Sequence, residues 1–196
     1  MEFYSNEEPH DLKADEAIWD SFKRGDKQAY AELYQRYSKV LFRYCLRITG
    51  DRELVKDCIH DLFVTIWKNR DNLSQPDSVK AYLLSAIQRK LRRQTATLRS
   101  RQKDVDDISV LRLSNCREDQ MIEDQTELEQ KHIVSKALNA LTKREREAVY
   151  LKFYSDLSYK EVAEVMSIRV DSIYNLISKS IETLHSELNK VSVAKL

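Results

Sequence analysis

Outward positions of a helical pattern near the C-terminus carry the side chains of this sequence best suited to reading DNA. They are Asp171, Ser172, Tyr174, Asn175, Ser178 and Lys179. Asn can pair bidentately with adenine, Ser and Tyr can donate or accept hydrogen bonds, and Lys can meet phosphate or guanine. This face therefore favours nucleic-acid recognition. The alternative is an ordinary helical hairpin with a polar face.

A second candidate lies in the middle of the chain, where residues 89–103 contain seven basic side chains and no acidic one. They are Arg89, Lys90, Arg92, Arg93, Arg99, Arg101 and Lys103. Like charges on a short segment repel one another unless a polyanion neutralises them, so this segment also favours nucleic acid. A solvated surface is the alternative.

A third candidate is an acidic helix face. The spacing of Asp57, His60 and Asp61 places them together, opposite Phe63 and Trp67. Three possible metal ligands on one helix, with no fourth at a recognisable spacing, more often form a solvated acidic patch than a metal site. We therefore expect no metal and interpret this face as a patch for a basic protein partner.

No catalytic motif accompanies these surfaces. The sequence contains no Gly-rich phosphate loop, no HExxH and no GxSxG. We predict a protein that binds rather than catalyses and that needs no cofactor.

The elements that position these residues are predicted to be helices throughout, because the chain has only two glycines and two prolines. Apolar residues follow helical spacing over residues 30–48. Gly50 ends this helix and Asp51 caps a second one, whose apolar face spans residues 55–67. A loop over residues 69–78 leads to the third helix.

That third helix is predicted to run from Val79 to about Arg93, which completes a compact helical domain. Ordered structure is expected to begin near Ile18, because the preceding residues are strongly acidic. Cys45, Cys58 and Cys116 share no CxxC spacing, and buried reduced thiols explain them best.

The C-terminal part predicts a second helical domain. A helix over residues 133–141 is followed by two capping-box signatures, Thr142 with Glu145 and Ser158 with Glu161. The first signature starts a helix that is predicted to run through Ala148, Val149 and Phe153.

The second capping box starts a helix over residues 159–166, which a tight turn at 167–169 joins to a longer helix. This arrangement predicts a helix-turn-helix, which places its second helix in the major groove. The residues predicted to face inward on that helix are Ile173, Leu176, Ile177, Ile181 and Leu184.

Charge and periodicity together predict the domain boundaries. These are an acidic extension 1–17, a first domain 18–103, a linker 104–130, a second domain 131–190 and a tail 191–196. The linker carries nine acidic and two basic side chains. We expect it to fold back over the basic segment in the free protein. No apolar run is long enough to span a bilayer and the N-terminus is acidic, so we expect a cytoplasmic protein without membrane insertion.

With those residues in hand, the sequence resembles the extracytoplasmic-function sigma factors of bacterial RNA polymerase from about Asp20 to Leu188. The first domain is similar to sigma region two, in AELYQRY at residues 31–37, DCIHDLF at 57–63 and AYL at 81–83. The second is similar to region four, in LNAL at 138–141 and LSYKEVAE at 157–164. The turn residues Ser167 and Arg169 replace the Gly and Ser usual there, so we expect a differently shaped turn.

The resemblance implies the partners and a role for each surface. Core RNA polymerase, through its β′ and β subunits, promoter DNA and a possible anti-sigma factor are the implied partners. The polymerase contacts would be Asp57, His60 and Asp61. The minus-ten DNA contacts would be Asn72, Lys80, Tyr82, Arg89, Lys90, Arg92 and Arg93. The minus-thirty-five contacts would be Ser158, Arg169, Asp171, Ser172, Tyr174, Asn175, Ser178 and Lys179.

Two functional hypotheses follow. The first is a sigma factor that binds core polymerase, recognises promoters and promotes initiation. The second is a stand-alone helix-turn-helix regulator with an N-terminal sensing or dimerisation domain; an interaction protein without a DNA role comes third. The opposed acidic and basic surfaces of the first domain favour the sigma factor, since a sensor needs a ligand cavity.

Overall fold

The structure is a computed structural model that describes the backbone of residues 12–101 and 125–193 and the side chains of residues 14–96 and 133–190. Within those ranges every regular element is helical, which confirms the predicted all-α fold class. None of the described helices is long and apolar enough to cross a membrane.

The chain divides into two compact units. Among the described residues, 12–46 and 51–101 form the first, and 47–50 and 125–193 form the second. The helices of the first part of the chain are α1 (Leu12–Lys23), α2 (Lys27–Thr49), α3 (Arg52–Lys68) and α4 (Val79–Arg101), with a 3₁₀ turn at Arg70–Asn72.

Helix α1 begins at Leu12, so the prediction that order starts near Ile18 was wrong. Its aromatic residues Trp19 and Phe22 are fully buried. The buried carboxylate of Asp15 accepts hydrogen bonds from Arg36 Nη1 at 2.6 Å and from the Tyr37 hydroxyl at 2.5 Å. An acidic segment is thus ordered because one of its acids has partners on α2.

The junction between α2 and α3 follows the prediction. Gly50 lies in the left-handed region at φ +71, where a residue with a Cβ would be strained. Asp51 then caps α3, because its carboxylate accepts hydrogen bonds from the backbone N–H groups of Glu53 and Leu54, both at 3.1 Å.

Helix α4 is longer than predicted, since it continues past Arg93 to Arg101. Its buried face is formed by Leu83, Leu84, Ile87 and Leu91, and Ala86 is only half-buried. The predicted buried thiols are confirmed for Cys45 and Cys58, whereas Cys116 lies outside the described residues. Burial raises the pKa of the Cys58 thiol to about 11.

The elements of the later part of the chain are α5 (Gln125–Ala140), α6 (Lys143–Val149), a π-helical turn (Tyr150–Tyr154), α7 (Tyr159–Met166) and α8 (Val170–Val193). Helix α5 begins inside the segment predicted as linker. The rest of that linker, residues 104–124, lies outside the described residues, as does the contact predicted between it and the basic segment. Helices α5, α6 and α7 all contact α8.

Both predicted capping boxes are present, at Thr142 with Glu145 and at Ser158 with Glu161. The helix predicted through Phe153 is present as α6 followed by the π-helical turn, and 60% of the surface of Phe153 is exposed. The π-helical turn adds a residue to the helical period, so that Leu151 is the residue of this turn that is buried.

Ile181 was wrongly predicted to face inward, since it is 51% exposed. The inward stripe of α8 passes instead through Ile173, Ile177 and Ser180. Ser180 is buried without an orphaned hydroxyl, because its Oγ donates to the Leu176 carbonyl at 2.6 Å.

Candidate functional site

The acidic face of α3 is exposed as predicted, at Asp57, His60 and Asp61. Asp61 has an intramolecular partner, because its Oδ2 lies 3.1 Å from the Nζ of Lys90 on α4. The acidic face of one helix therefore adjoins the basic helix next to it. The two helices are joined again where the Cys58 thiol donates to Gln94 Oε1 at 2.7 Å.

The structure describes the side chains of only the first part of the basic segment. Arg89, Arg92 and Arg93 are exposed on α4. Arg89 is held in place by a hydrogen bond from its Nη1 to Ser85 Oγ at 2.7 Å. The side chains of Arg99 and Arg101, and all of Lys103, lie outside the described residues.

Two lysines predicted to contact DNA are placed differently from these arginines. Only 7% of the surface of Lys80 is exposed, which argues against phosphate contact by its ammonium in this conformation. Lys90 is half-buried and paired with Asp61. Helical periodicity placed both residues on α4, but their burial depends on neighbouring helices that a one-dimensional pattern does not include.

The segment between α3 and α4 packs against α1. Asn72 is exposed in the 3₁₀ turn, and Tyr82 is half-buried at the start of α4. The indole N–H of Trp19 donates to the Ser74 carbonyl at 3.3 Å, and its ring meets that of Tyr82 edge-on with centroids 5.2 Å apart. Burial raises the pKa of Tyr82. The sequence pattern did not predict these contacts of Trp19, although a large aromatic residue within an acidic segment was a signal of a buried position.

The helix-turn-helix is formed by α7 and α8. Ser167 ends α7 in the left-handed region at φ 56 and ψ 46, so a serine adopts the conformation that a turn glycine favours. Ser158 serves as the N-cap of α7, because its Oγ accepts from the Glu161 N–H at 3.3 Å and donates to the Glu161 carboxylate at 2.6 Å. The Ser158 hydroxyl is thus already engaged in capping.

The predicted outward face of α8 is exposed in the structure. The exposed residues of this face are Asp171, Ser172, Tyr174, Asn175, Ser178 and Lys179. Arg169, just before the helix, is exposed as well. Lys179 lies 3.7 Å from the buried carboxylate of Glu145, close enough for a weak ion pair. The backbone N–H of Thr142, which donates to Glu145, lowers the pKa of that carboxyl.

Tyr174 on this face contacts a residue of α7. Its ring stacks on that of Tyr159, the first residue of α7, with centroids 4.2 Å apart and an interplanar angle of 20°. Lys152 places its Nζ 5.1 Å from the centroid of the Tyr159 ring and donates to the Leu157 carbonyl at 3.0 Å. Sequence reasoning missed Tyr159 and Lys152, because their relation to Tyr174 depends on how the turn folds.

The comparisons with known proteins match both domains. Residues 33–103 match the profile of Sigma-70 region 2, and residues 131–184 match that of Sigma-70, region 4. The chain is 21% identical over 169 residues to the ECF RNA polymerase sigma factor SigK of Mycobacterium tuberculosis, covering 84% of this chain and 88% of that protein. The same figures hold for SigK of Mycobacterium bovis.

Two solved structures share the fold. The first is CnrH in complex with the cytosolic domain of CnrY, which matches at a TM-score of 0.60 and 20% identity, over 90% of this chain and 98% of the other. The second is the sigma factor RpoE of Bartonella quintana in complex with the anti-sigma factor NepR, at a TM-score of 0.58 and 17% identity, over 82% and 96%.

Proposed function

This chain belongs to the extracytoplasmic-function sigma factors, and we propose that its polymerase and promoter contacts lie on three surfaces of the two domains. As a sigma factor it binds core RNA polymerase, recognises promoter DNA and promotes transcription initiation. The three surfaces are the acidic face of α3, the exposed arginines of α4 and the outward face of α8.

One observation carries this proposal: α3 and α4 pack side by side, with exposed acids on one helix and exposed arginines on the other. The acids suit a basic partner, and the arginines suit a polyanion. A single small domain can therefore hold a protein and a nucleic acid at the same time. This is what a polymerase-bound promoter factor requires.

The polymerase contact can be tested by charge reversal at Asp57 and Asp61, singly and together. Both side chains are exposed, so Asp57→Lys should cost within about 0.5 kcal/mol of stability, and Asp61→Lys about 1 kcal/mol because it also breaks the ion pair with Lys90. We expect weaker binding to core polymerase in a titration, with the double variant weakest, because attraction becomes repulsion. Asp20→Lys is the matched control, since it makes the same charge change on the exposed side of α1. Equal affinities for all the variants would show that the α3 face is only solvated.

The minus-ten contact is proposed for Asn72, Tyr82 and the arginines 89, 92 and 93, with Lys80 and Lys90 left out because of their burial and pairing. Replacing Arg92 and Arg93 by Ala should weaken promoter binding by the polymerase complex. It should also reduce the slope of log affinity against log salt by about one per lost phosphate contact. An unchanged slope would contradict phosphate contact by these residues.

The minus-thirty-five contact is proposed for the exposed face of α8. Asn175→Ala should change base preference at one or two positions, because a lost bidentate contact is worth roughly 1–3 kcal/mol. Lys179→Ala should weaken binding to all sequences similarly, since a phosphate contact carries no sequence information. The same loss on matched and mismatched promoters for both variants would place Asn175 away from the bases.

Sigma factors are generally initiation factors rather than enzymes, and we propose that this chain opens promoter DNA by binding energy alone. A base that leaves the duplex can be held by stacking and phosphate contacts, which offset the lost pairing. We also propose a cytoplasmic location, because core polymerase works there. Strand opening by the purified complex without any nucleotide would support the first point.

An anti-sigma factor is proposed as a further partner, because the two structural neighbours were solved as complexes with CnrY and NepR. Its action on this chain would be to compete with core polymerase. A protein captured from the source cells by the full chain should then displace core polymerase in a competition assay. Simultaneous binding of both would argue against an inhibitor.

A further inference from the structure

We propose that Tyr159 is a positioning residue that holds Tyr174 in one orientation and thereby makes Tyr174 a determinant of promoter specificity. This inference rests on the proposed role of α8 in reading the minus-thirty-five element. It adds to that role a residue of α7 and the mechanism by which this residue acts.

The geometry of the two rings is that of an aromatic stack. Their centroids are 4.2 Å apart and their planes are inclined by 20°. Stacked aromatic rings attract one another beyond what the buried area alone provides. Tyr174 is nevertheless 53% exposed, so much of its surface remains available to a partner.

An exposed tyrosine on a helix surface ordinarily has more than one staggered side-chain rotamer available to it. The stack on Tyr159 selects one of these, and the selected ring then presents its edge and hydroxyl in a fixed direction. Binding to DNA costs less ordering entropy when a contact side chain is already held in place. A fixed ring also discriminates between base edges more sharply than a mobile one.

Tyr159 is itself well placed to act as a support. It is the first residue of α7, directly after the N-cap Ser158, and so lies within the capping box of Ser158 with Glu161 that fixes the start of this helix. Lys152 Nζ lies over its ring and is anchored by the Leu157 carbonyl. The orientation of Tyr174 is therefore tied to the start of α7 as well as to its own helix.

A purely structural role for the stack would have a different signature. If Tyr159 only stabilised the domain, its removal would lower affinity for every promoter by the same factor. If it positions Tyr174, its removal should lower discrimination, which is the ratio of affinities for matched and mismatched promoters.

The experiment uses the full chain bound to core polymerase and a set of promoters with single-base changes in the minus-thirty-five element. Tyr174→Ala should lose about tenfold of discrimination at one or two positions, as expected for a base-edge contact. Tyr159→Ala should lose most of it at the same positions. Tyr159→Phe keeps the ring and should discriminate as the unmodified chain does, and the double Ala variant should resemble Tyr174→Ala alone.

Phe153→Ala is the matched control, because it removes an exposed aromatic ring of the same domain and should leave discrimination unchanged. A uniform loss for Tyr159→Ala, or additive losses in the double variant, would overturn the inference. Asn175→Ala distinguishes a failure of this inference from a failure of the proposed function of α8. If it alters base preference and Tyr159→Ala does not, only the inference fails. If no α8 variant alters preference, the proposed function of α8 fails and the inference fails with it.

Discussion

In the first domain several residues near the proposed contact surfaces also hold the domain together, whereas in the second domain the proposed contacts lie on an exposed helix face beside the core. Tyr82 packs against Trp19, and Lys90 pairs with Asp61. On α8, the core residues Ile173 and Ile177 occupy one face and the proposed contacts another. Substitutions in the first domain should therefore change stability and function together, while those on α8 should change function with little effect on stability.

The largest expected effect is that of Trp19→Ala, which removes a fully buried ring beneath the proposed DNA surface. We expect a loss of about 3–5 kcal/mol in the free energy of unfolding of the first domain. Urea unfolding can be followed by fluorescence, because both tryptophans of the chain lie in this domain and Trp67 remains as a reporter. Phe153→Ala should leave this transition unchanged. A loss below about 1 kcal/mol would show that α1 is peripheral. Residues next to the proposed DNA surface would then not hold the first domain together.

A smaller effect is expected for Asp15→Asn, which removes the charge that faces Arg36 and Tyr37. Because these partners then lack a carboxylate in a buried site, the free energy of unfolding should fall by about 1–3 kcal/mol. Glu32→Gln is the control, since Glu32 also pairs with Arg36, at 2.9 Å, but is exposed. That variant should lose less than about 1 kcal/mol in the same urea titration. Equal losses would mean that burial does not distinguish the two acids.

The second domain is tested at the capping box by Glu145→Gln, which keeps a capping acceptor but removes the charge near the start of α6, so we expect a loss of up to about 1 kcal/mol at neutral pH. The pKa of Glu145 is lowered in the folded protein, so the stability that its carboxylate contributes is present above the usual carboxyl pKa. This stability is lost as the pH falls through the lower folded value. The difference between the two proteins should therefore vanish in acid, as measured by thermal unfolding at several pH values. A constant difference would exclude titration of Glu145 as its cause.

The smallest effect is expected for Lys90→Gln, which breaks a partly exposed ion pair and should change stability by less than about 1 kcal/mol. Loss of the pair frees Asp61 for an external partner, so affinity for core polymerase should rise, by at most about fivefold. Arg92→Gln, the control on the same helix, should not raise it. Lower polymerase affinity in Lys90→Gln would indicate that Lys90 orients Asp61 rather than competing for it.

Much of the fold could be predicted from the sequence, because local rules decide it. The Asp51 cap, the Gly50 stop and the two capping boxes are short-range interactions that residue types specify. The stripes of α2 and α3, and that of α8 as far as Ile177, follow from the helical period, which also placed Asp57, Asp61 and Asn175 on exposed faces.

The errors arose where a distant residue or a change of period decides the outcome. Trp19 and Asp15 are ordered by partners in other helices, which an acidic composition conceals. The π-helical turn at Tyr150–Tyr154, in which Phe153 is exposed, was not predicted because it interrupts the helical period. The sequence also gives no measure of which side of α4 its neighbours cover, and so Lys80 was assigned to a surface although it is buried.

Ser167 leaves this protein with room to evolve. A serine in the left-handed region costs roughly 1 kcal/mol that a glycine would not. Because selection maintains stability only above the threshold that function requires, such a cost persists until something else uses up the margin. A single change to glycine could return most of this stability without touching the outward face of α8. A destabilising substitution that alters promoter choice could then be tolerated, because the stability recovered at the turn would offset its cost.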